Sequence, residues 1–195
     1  GKKVKKINKI VTSREAILKT CRELAAEQGL QSLNMRAVAQ KSHVSIGSIY
    51  NYFPSKEELI AATIQEVWHE IFHMGKVCKE GTPFSEYVEE IFRNVQEGAA
   101  RYPTFFTSHS LSFANAEKGK AKQVMEEYVT HMKVGLLKTL QNDKKVRENA
   151  FSTEFTQSEF VGFVFTSLIS LLMNQESSCK ILIEMIKRSI YEANS

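Results

Sequence analysis

Apolar residues recur along the chain at helical spacing. Ile17, Leu18, Cys21, Leu24 and Ala25 stand three and four positions apart, one face of a helix, and Gly29 closes the run. In front of them Thr12-Ser13-Arg14-Glu15 reads as a capping box with Thr12 as N-cap. A second helix is predicted from Asn34, with Met35, Val38 and Ala39 inward and an end near Lys41. Ser42, His43 and Val44 leave room for only a tight turn. Ser45 then caps a third short helix carrying Ile46, Ile49, Tyr50 and Phe53. Pro54 stops that helix, and Ser55 caps a fourth that runs to about Val77, ahead of the break at Gly81-Thr82-Pro83. Helical spacing resumes over about 83–101, 104–115, 118–141, 156–174 and 178–193, and the polar stretch 142–155 reads as a surface loop. No segment alternates with a period of two. The predicted fold is all-α, with about nine helices.

Two segments are apolar around most of their circumference. Phe160 to Met173 is one, and the last helix, with Ile181, Leu182, Ile183, Met185, Ile186 and Ile190, is the other. Such helices need burial on two sides. A four-helix interface between two subunits, through Phe160, Val164, Leu168, Leu172, Ile183, Ile186 and Ile190, satisfies that need; a pair buried inside one monomeric core is the alternative.

Composition narrows the class. The chain has 195 residues, 43% hydrophobic and 25% charged, which excludes a disordered or fibrous protein. Nine Gly and three Pro leave long uninterrupted segments, against a turn-rich sandwich. Three widely spaced cysteines, Cys21, Cys78 and Cys179, speak against a disulfide framework or a cysteine zinc site and fit a reducing cytosol. The expected location is cytoplasmic: Phe160–Met173 is too short to span a bilayer, and no apolar signal core follows the basic start.

Charge divides the chain. Residues 1–60 carry 11 Lys/Arg against 5 Asp/Glu, and residues 61–195 carry 15 against 17. A basic first third suits a polyanion such as DNA, although the lysines at 2, 3, 5, 6 and 9 also suit a solubilising tail.

Two short helices joined by a three-residue turn, behind a longer helix, are the plan of a helix-turn-helix. Ala39, Val44 and Ile49 can meet inside the corner. The outer face of the second short helix presents Ser45, Gly47, Ser48 and Asn51, flanked by Tyr50 and Tyr52. These are donors, acceptors and flat rings without negative charge, suited to base edges and phosphates.

The stretch Asn34-Met35-Arg36-Ala37-Val38-Ala39, followed by Val44-Ser45-Ile46-Gly47-Ser48-Ile49-Tyr50-Asn51-Tyr52-Phe53-Pro54-Ser55-Lys56-Glu57-Glu58-Leu59, resembles the TetR family of bacterial transcriptional repressors. The detailed likeness covers about residues 12–60. The resemblance implies a homodimer on a double-stranded DNA operator, with the third helix of each subunit in a major groove. By position it puts Arg36, Ser45, Ile46, Gly47 and Ser48 near bases and adjacent phosphates, and Tyr50, Asn51, Tyr52 and Lys56 on the backbone and groove. It implies a basic arm at 1–11, a DNA-binding domain at 12–55, and an effector-binding and dimerisation domain at 56–195, with no cofactor, no catalytic residues and no membrane segment. Three positions depart from the family pattern. His43 stands where glycine is usual, Ile46 where a polar contact is common, and Ala25 where an aromatic is usual.

Aromatics are dense at 83–141. Phe92, Tyr102, Phe105, Phe106, His109, Phe113, Tyr128 and Met132 are candidates for an apolar effector pocket, each also eligible as plain core. One competing motif remains. His69-Glu70-Ile71-Phe72-His73 matches HExxH, which on a helix puts two histidines on one face for zinc with Glu70 as general base. The pattern is short, nothing selects a third ligand, and a zinc-dependent hydrolase is the subordinate reading.

Overall fold

The computed structural model describes residues 12–73, 81–103 and 119–191. Among them are eight α-helices: α1 (Arg14–Gln28), α2 (Met35–Lys41), α3 (Ile46–Tyr52), α4 (Lys56–His73), α5 (Phe84–Arg101), α6 (Lys120–Asn142), α7 (Gln157–Met173) and α8 (Lys180–Ile190). A single 3₁₀ turn, Leu30–Ser32, joins α1 to α2. The helix expected at 104–115 and the end of the fourth beyond residue 73 lie outside the described residues.

Most starts are set by side-chain caps. Asn34 accepts the Ala37 amide at 2.9 Å, Ser45 the Ser48 amide at 3.1 Å, Ser55 the Glu58 amide at 3.2 Å and Thr156 the Glu159 amide at 3.2 Å. Each such cap contributes about 1 kcal/mol. The first differs from expectation. Ser13, not Thr12, caps α1, accepting the Ala16 amide at 3.1 Å. Thr12 serves elsewhere, its carbonyl accepting the Tyr52 hydroxyl at 2.8 Å.

Pro83 gives α5 no side-chain cap, and the loop between α6 and α7 supplies one. Asp143 Oδ2 accepts the Phe84 amide at 2.8 Å and the Tyr191 hydroxyl at 2.6 Å, while the Tyr191 oxygen accepts the Ser85 amide at 3.1 Å. Burial, reinforced by the Asp143 bond, pushes the Tyr191 hydroxyl up to about 12. The stretch 142–155 is largely exposed, as its composition suggests, but it is anchored at a few positions. Asp143 and Ala150 are buried, and Val146 pairs with Tyr191 in an isolated antiparallel bridge.

Apolar side chains gather in two clusters. The first joins α1–α3 to α4 through Ile17, Leu33, Val38 and Ile49, with Leu59, Ile60, Ile64, Val67, Trp68 and Ile71, and takes in Val95 and Tyr102. It runs past residue 55 along the whole described length of α4. Ala25 is buried in it, with Leu30, Leu33 and Phe53 among its members. The second is built from Phe84, Val88 and Phe92 of α5, Leu136 and Leu140 of α6, and the inner faces of α7 and α8. The clusters meet where α5 lies against α4. A Cβ on Gly98 would fall 2.5 Å from Ile71 Cγ1, so the close approach needs glycine there.

The apolar helices α7 and α8 face otherwise than expected. Phe160, Val164, Leu168, Ile183, Ile186 and Ile190 are all buried within one subunit, covered by α5 and α6, and Leu172 is half-buried against both clusters. The residues left outside are Phe163, 60% exposed, Ile181, 74%, and Met185, 53%.

Candidate nucleic-acid interface and effector cavity

The corner between α2 and α3 closes on a few backbone bonds. The Ser42 amide donates to Val38 O at 2.9 Å and the Val44 amide to Ala39 O at 3.1 Å. His43 sits at φ 56°, the left-handed region that glycine fills easily and histidine tolerates at some cost. Ala39 and Ile49 are buried in the corner and Val44 packs against them, as the spacing predicts.

Burying Ile49 turns the rest of α3 outward. Arg36, Ser45, Ile46, Gly47, Tyr50, Asn51, Tyr52 and Lys56 are exposed and Ser48 is half-buried. Tyr50 is 50% exposed, so its ring is not a core ring. Two of the expected free groups are already engaged. Ser45 Oγ holds the Ser48 amide and lies 2.8 Å from Ser48 Oγ, because the helix start needs its cap. Tyr52 ties the end of α3 to the start of α1. The free polar surface is thus narrower than the sequence suggests, and Ile46 leaves an apolar spot, 39% exposed, in its middle. Sequence reasoning missed Arg14. Its guanidinium lies over the Phe53 ring at 5.2 Å, beside the end of α3. The signal was there: like Lys56, it is a cation in a helix's first turn, where the dipole disfavours it.

Behind this surface lies a cavity of about 130 Å³ between α4, α5, α6 and α7. Trp68 comes from α4, Ile91 and Val95 from α5, Met125, Tyr128, Val129, Met132 and Leu136 from α6, and Phe165, Leu168, Ile169, Leu172 and Met173 from α7. Tyr128 and Met132 are where the sequence expectation put them. Phe92 is not; it is buried in the second cluster, beyond the cavity wall. Tyr102 is buried in the first cluster and donates its hydroxyl to Glu70, which with burial pushes its pKa up, burial being the larger cause. Phe105, Phe106, His109 and Phe113 lie outside the described residues. α7 supplies five of the lining residues, as many as α6, although the sequence predicts it as an interface, because an apolar side chain carries no mark of which neighbour it meets.

α4 touches both sites. Arg22 of α1 pairs with its Glu66 at 3.2 Å, and Trp68 of the same helix lines the cavity. At its start, Glu57 accepts the Lys120 amide at 2.8 Å and Glu58 binds the Lys120 ammonium, so the reader end of α4 is joined to α6.

The HExxH alternative gains no support. Glu70 is bonded to Arg101 and Tyr102 rather than open to a water. Among the described residues, no three His, Cys, Asp or Glu side chains gather to hold a metal. His73's side chain lies outside them. Among the same residues no helix is long and apolar enough to cross a membrane.

An exposed short helix on a helix-turn-helix corner is the arrangement by which such motifs enter the major groove of DNA. Residues 17–63 match the family model described as bacterial regulatory proteins, tetR family. The transcriptional repressor KstR of Rhodococcus jostii is 29% identical over 111 residues, covering 57% of this chain and 52% of KstR. The transcriptional regulator UidR of Escherichia coli K12 is 33% identical over 78 residues, 40% of each chain. The chain spans about half the length of the curated relatives it matches. The crystal structure of a transcriptional regulator from Rhodococcus sp. superposes over 94% of this chain and 100% of that one, with a TM-score of 0.67 at 16% identity, a likeness of fold. Residues 17–63 thus carry the DNA-binding domain of the TetR family of bacterial regulatory proteins.

Proposed function

We propose that the protein is a ligand-responsive repressor, not an enzyme, that binds an operator as a homodimer and is released by a small, largely apolar effector. The observation that carries this reading is the outward face of α3, held in place by a buried Ile49 and a capped start. Arg36 and the Ser45–Ser48 turn lie near bases and adjacent phosphates. Tyr50 and Asn51 face the groove, and Lys56 and Arg14 meet the backbone. Ile46 meets a thymine methyl. Tyr52 acts through its hold on Thr12.

In this reading residues 1–11 are a basic arm, 12–55 the reader, and 56–195 the effector and dimer body, with α4 as the element common to both. The effector occupies the cavity walled by Tyr128 and Met132. Two subunits meet through the outer faces of α7 and α8, at Phe163, Ile181 and Met185, because exposed apolar side chains of this size need a cover. The repressor sense is supported by the name of KstR.

Selection of duplexes from a random pool by the purified protein, followed by titration of the winning site, tests the reading. A defined site that Tyr50→Ala binds as well as the parent protein does would remove α3 as the reading helix.

A further inference from the structure

The cavity wall is unusual in what it lacks. Its described lining holds no carboxylate, amine, guanidinium or imidazole. Its two polar handles are both turned to the protein. The Trp68 indole N–H donates to Met125 Sδ at 2.8 Å, and the Tyr128 hydroxyl donates to the Gln65 carbonyl at 3.2 Å. Against these described residues an occupant with a charge would lose its hydration and meet no partner, and one with a hydroxyl or amide would leave it unpaired. The size of the space sets a second limit. It measures about 130 Å³. An engineered apolar cavity of roughly 150 Å³ in another protein stays dry and takes up benzene.

The wall also has a preferred seat for a ring. Trp68 and Tyr128 both line the cavity and stack on each other, with centroids 6.1 Å apart and planes at 24°, so a ring that enters meets an aromatic wall. Met125, Met132 and Met173 provide flexible walls that adapt to substituents. Trp68 belongs to α4, the helix that packs in the reader's own cluster, so an occupant against the indole pushes on the element whose first residues are Lys56, Glu57 and Glu58.

We propose that the cavity selects an uncharged, single-ring hydrophobic molecule that makes no hydrogen bond to the protein, and that this molecule packs on Trp68. The proposal rests on the reading of the cavity as the effector site and names the chemical class that site accepts. Organic cations, carboxylates and sugars are outside that class, since none of them finds a partner among the described lining residues.

The protein provides its own probe, because Trp68 is the sole tryptophan of the chain. The full chain is titrated with toluene and with two charged relatives of the same shape, benzylammonium and benzoate, at pH 7. Trp68 emission and thermal melting are followed together. Toluene is expected to shift the emission saturably and to raise the melting temperature. Both charged probes are expected to bind at least about tenfold more weakly, through their uncompensated desolvation. Val129→Phe narrows the cavity and is expected to weaken the toluene response at least about tenfold in a protein that still melts cooperatively. Ile169→Phe, on the opposite helix, replaces it if that variant does not fold.

Equal or tighter binding of either charged probe, or an unsaturable response to toluene, overturns the proposal, as does a toluene response unchanged in the folded narrowed variant. Operator titration separates the two readings. Saturable toluene binding that leaves operator affinity unchanged keeps the ligand class and removes the regulatory role. Release of operator by a charged probe and not by toluene removes the ligand class and keeps the regulation.

Discussion

The corner at α2–α3 and the pair α7–α8 are both short stretches whose side chains face two ways, yet only the first announces its faces. In α3 the inward residue is Ile49 and the outward ones are serine, glycine, asparagine and tyrosine, with Ile46 the apolar exception, so polarity labels direction at all but one position. In α7 and α8 the exposed sides mix serine, threonine, glutamate, lysine and arginine with Phe163, Ile181 and Met185. Leu168, 2% exposed, and Phe163, 60% exposed, are indistinguishable by residue type. A helix tells its orientation only when its two environments differ in polarity. Where apolar residues stand on the exposed side as well as in the core, the pattern is silent.

That contrast is sharpest when the two faces of α7 are charged in turn. Leu168→Glu is expected to abolish cooperative folding of the body, since it forces a carboxylate into a buried apolar site beside the cavity at a cost of several kcal/mol. Phe163→Glu is expected to leave the helical signal and the fold intact and to convert dimers to monomers. Sedimentation with circular dichroism compares them. A dimeric Phe163→Glu protein would place the interface elsewhere.

The reader offers the next test. Tyr50→Ala is expected to weaken operator binding by about 1–3 kcal/mol while thermal stability changes by less than about 0.5 kcal/mol, because the ring is half exposed. Anisotropy with the selected duplex, beside a melt, measures both.

Ser45→Ala should behave differently from Tyr50→Ala although the two share a surface. It removes the cap of α3 and is expected to cost about 1 kcal/mol of stability. Urea unfolding measures the loss; an unchanged midpoint would mean that the Ser45 side chain does not hold the helix start.

The smallest effect distinguishes the far end of the body. The Tyr191 hydroxyl, raised from 10 to about 12, is protonated in the folded state where the unfolded chain has released its proton. Its contribution is therefore complete below pH 10 and declines as the pH rises from 10 towards 12. Tyr191→Phe is expected to be less stable at pH 8 and to lose less stability than the parent over that rise. Denaturant midpoints at pH 8, 10 and 11.5 show it, and parallel curves would deny Tyr191 this role.

Lys120 illustrates why contacts between distant segments were not legible. Nothing near Glu57 and Glu58 names their partner, and sixty-odd residues separate them from it. The Asp143 cap on α5 is similar. A polar stretch of fourteen residues reads as solvated until the fold sets one of its carboxylates on a distant helix start.

The chain by itself determined the helices that fall within the described residues, the caps of the first four within one residue, the three-residue corner, and the outward side of most of α3. All of these depend on neighbours in sequence: the 3.6-residue period, a cap three positions from its amide, a turn too short for more than one shape. The tertiary structure decided what is shared between segments. It buried the predicted interface residues inside one subunit and left Phe163, Ile181 and Met185 outside. It exchanged Phe92 and Tyr102 for Trp68 and Met125 in the cavity wall. Aliphatic and aromatic side chains bury equally well against any apolar neighbour, so which neighbour they meet follows from how whole helices pack and not from the residues themselves.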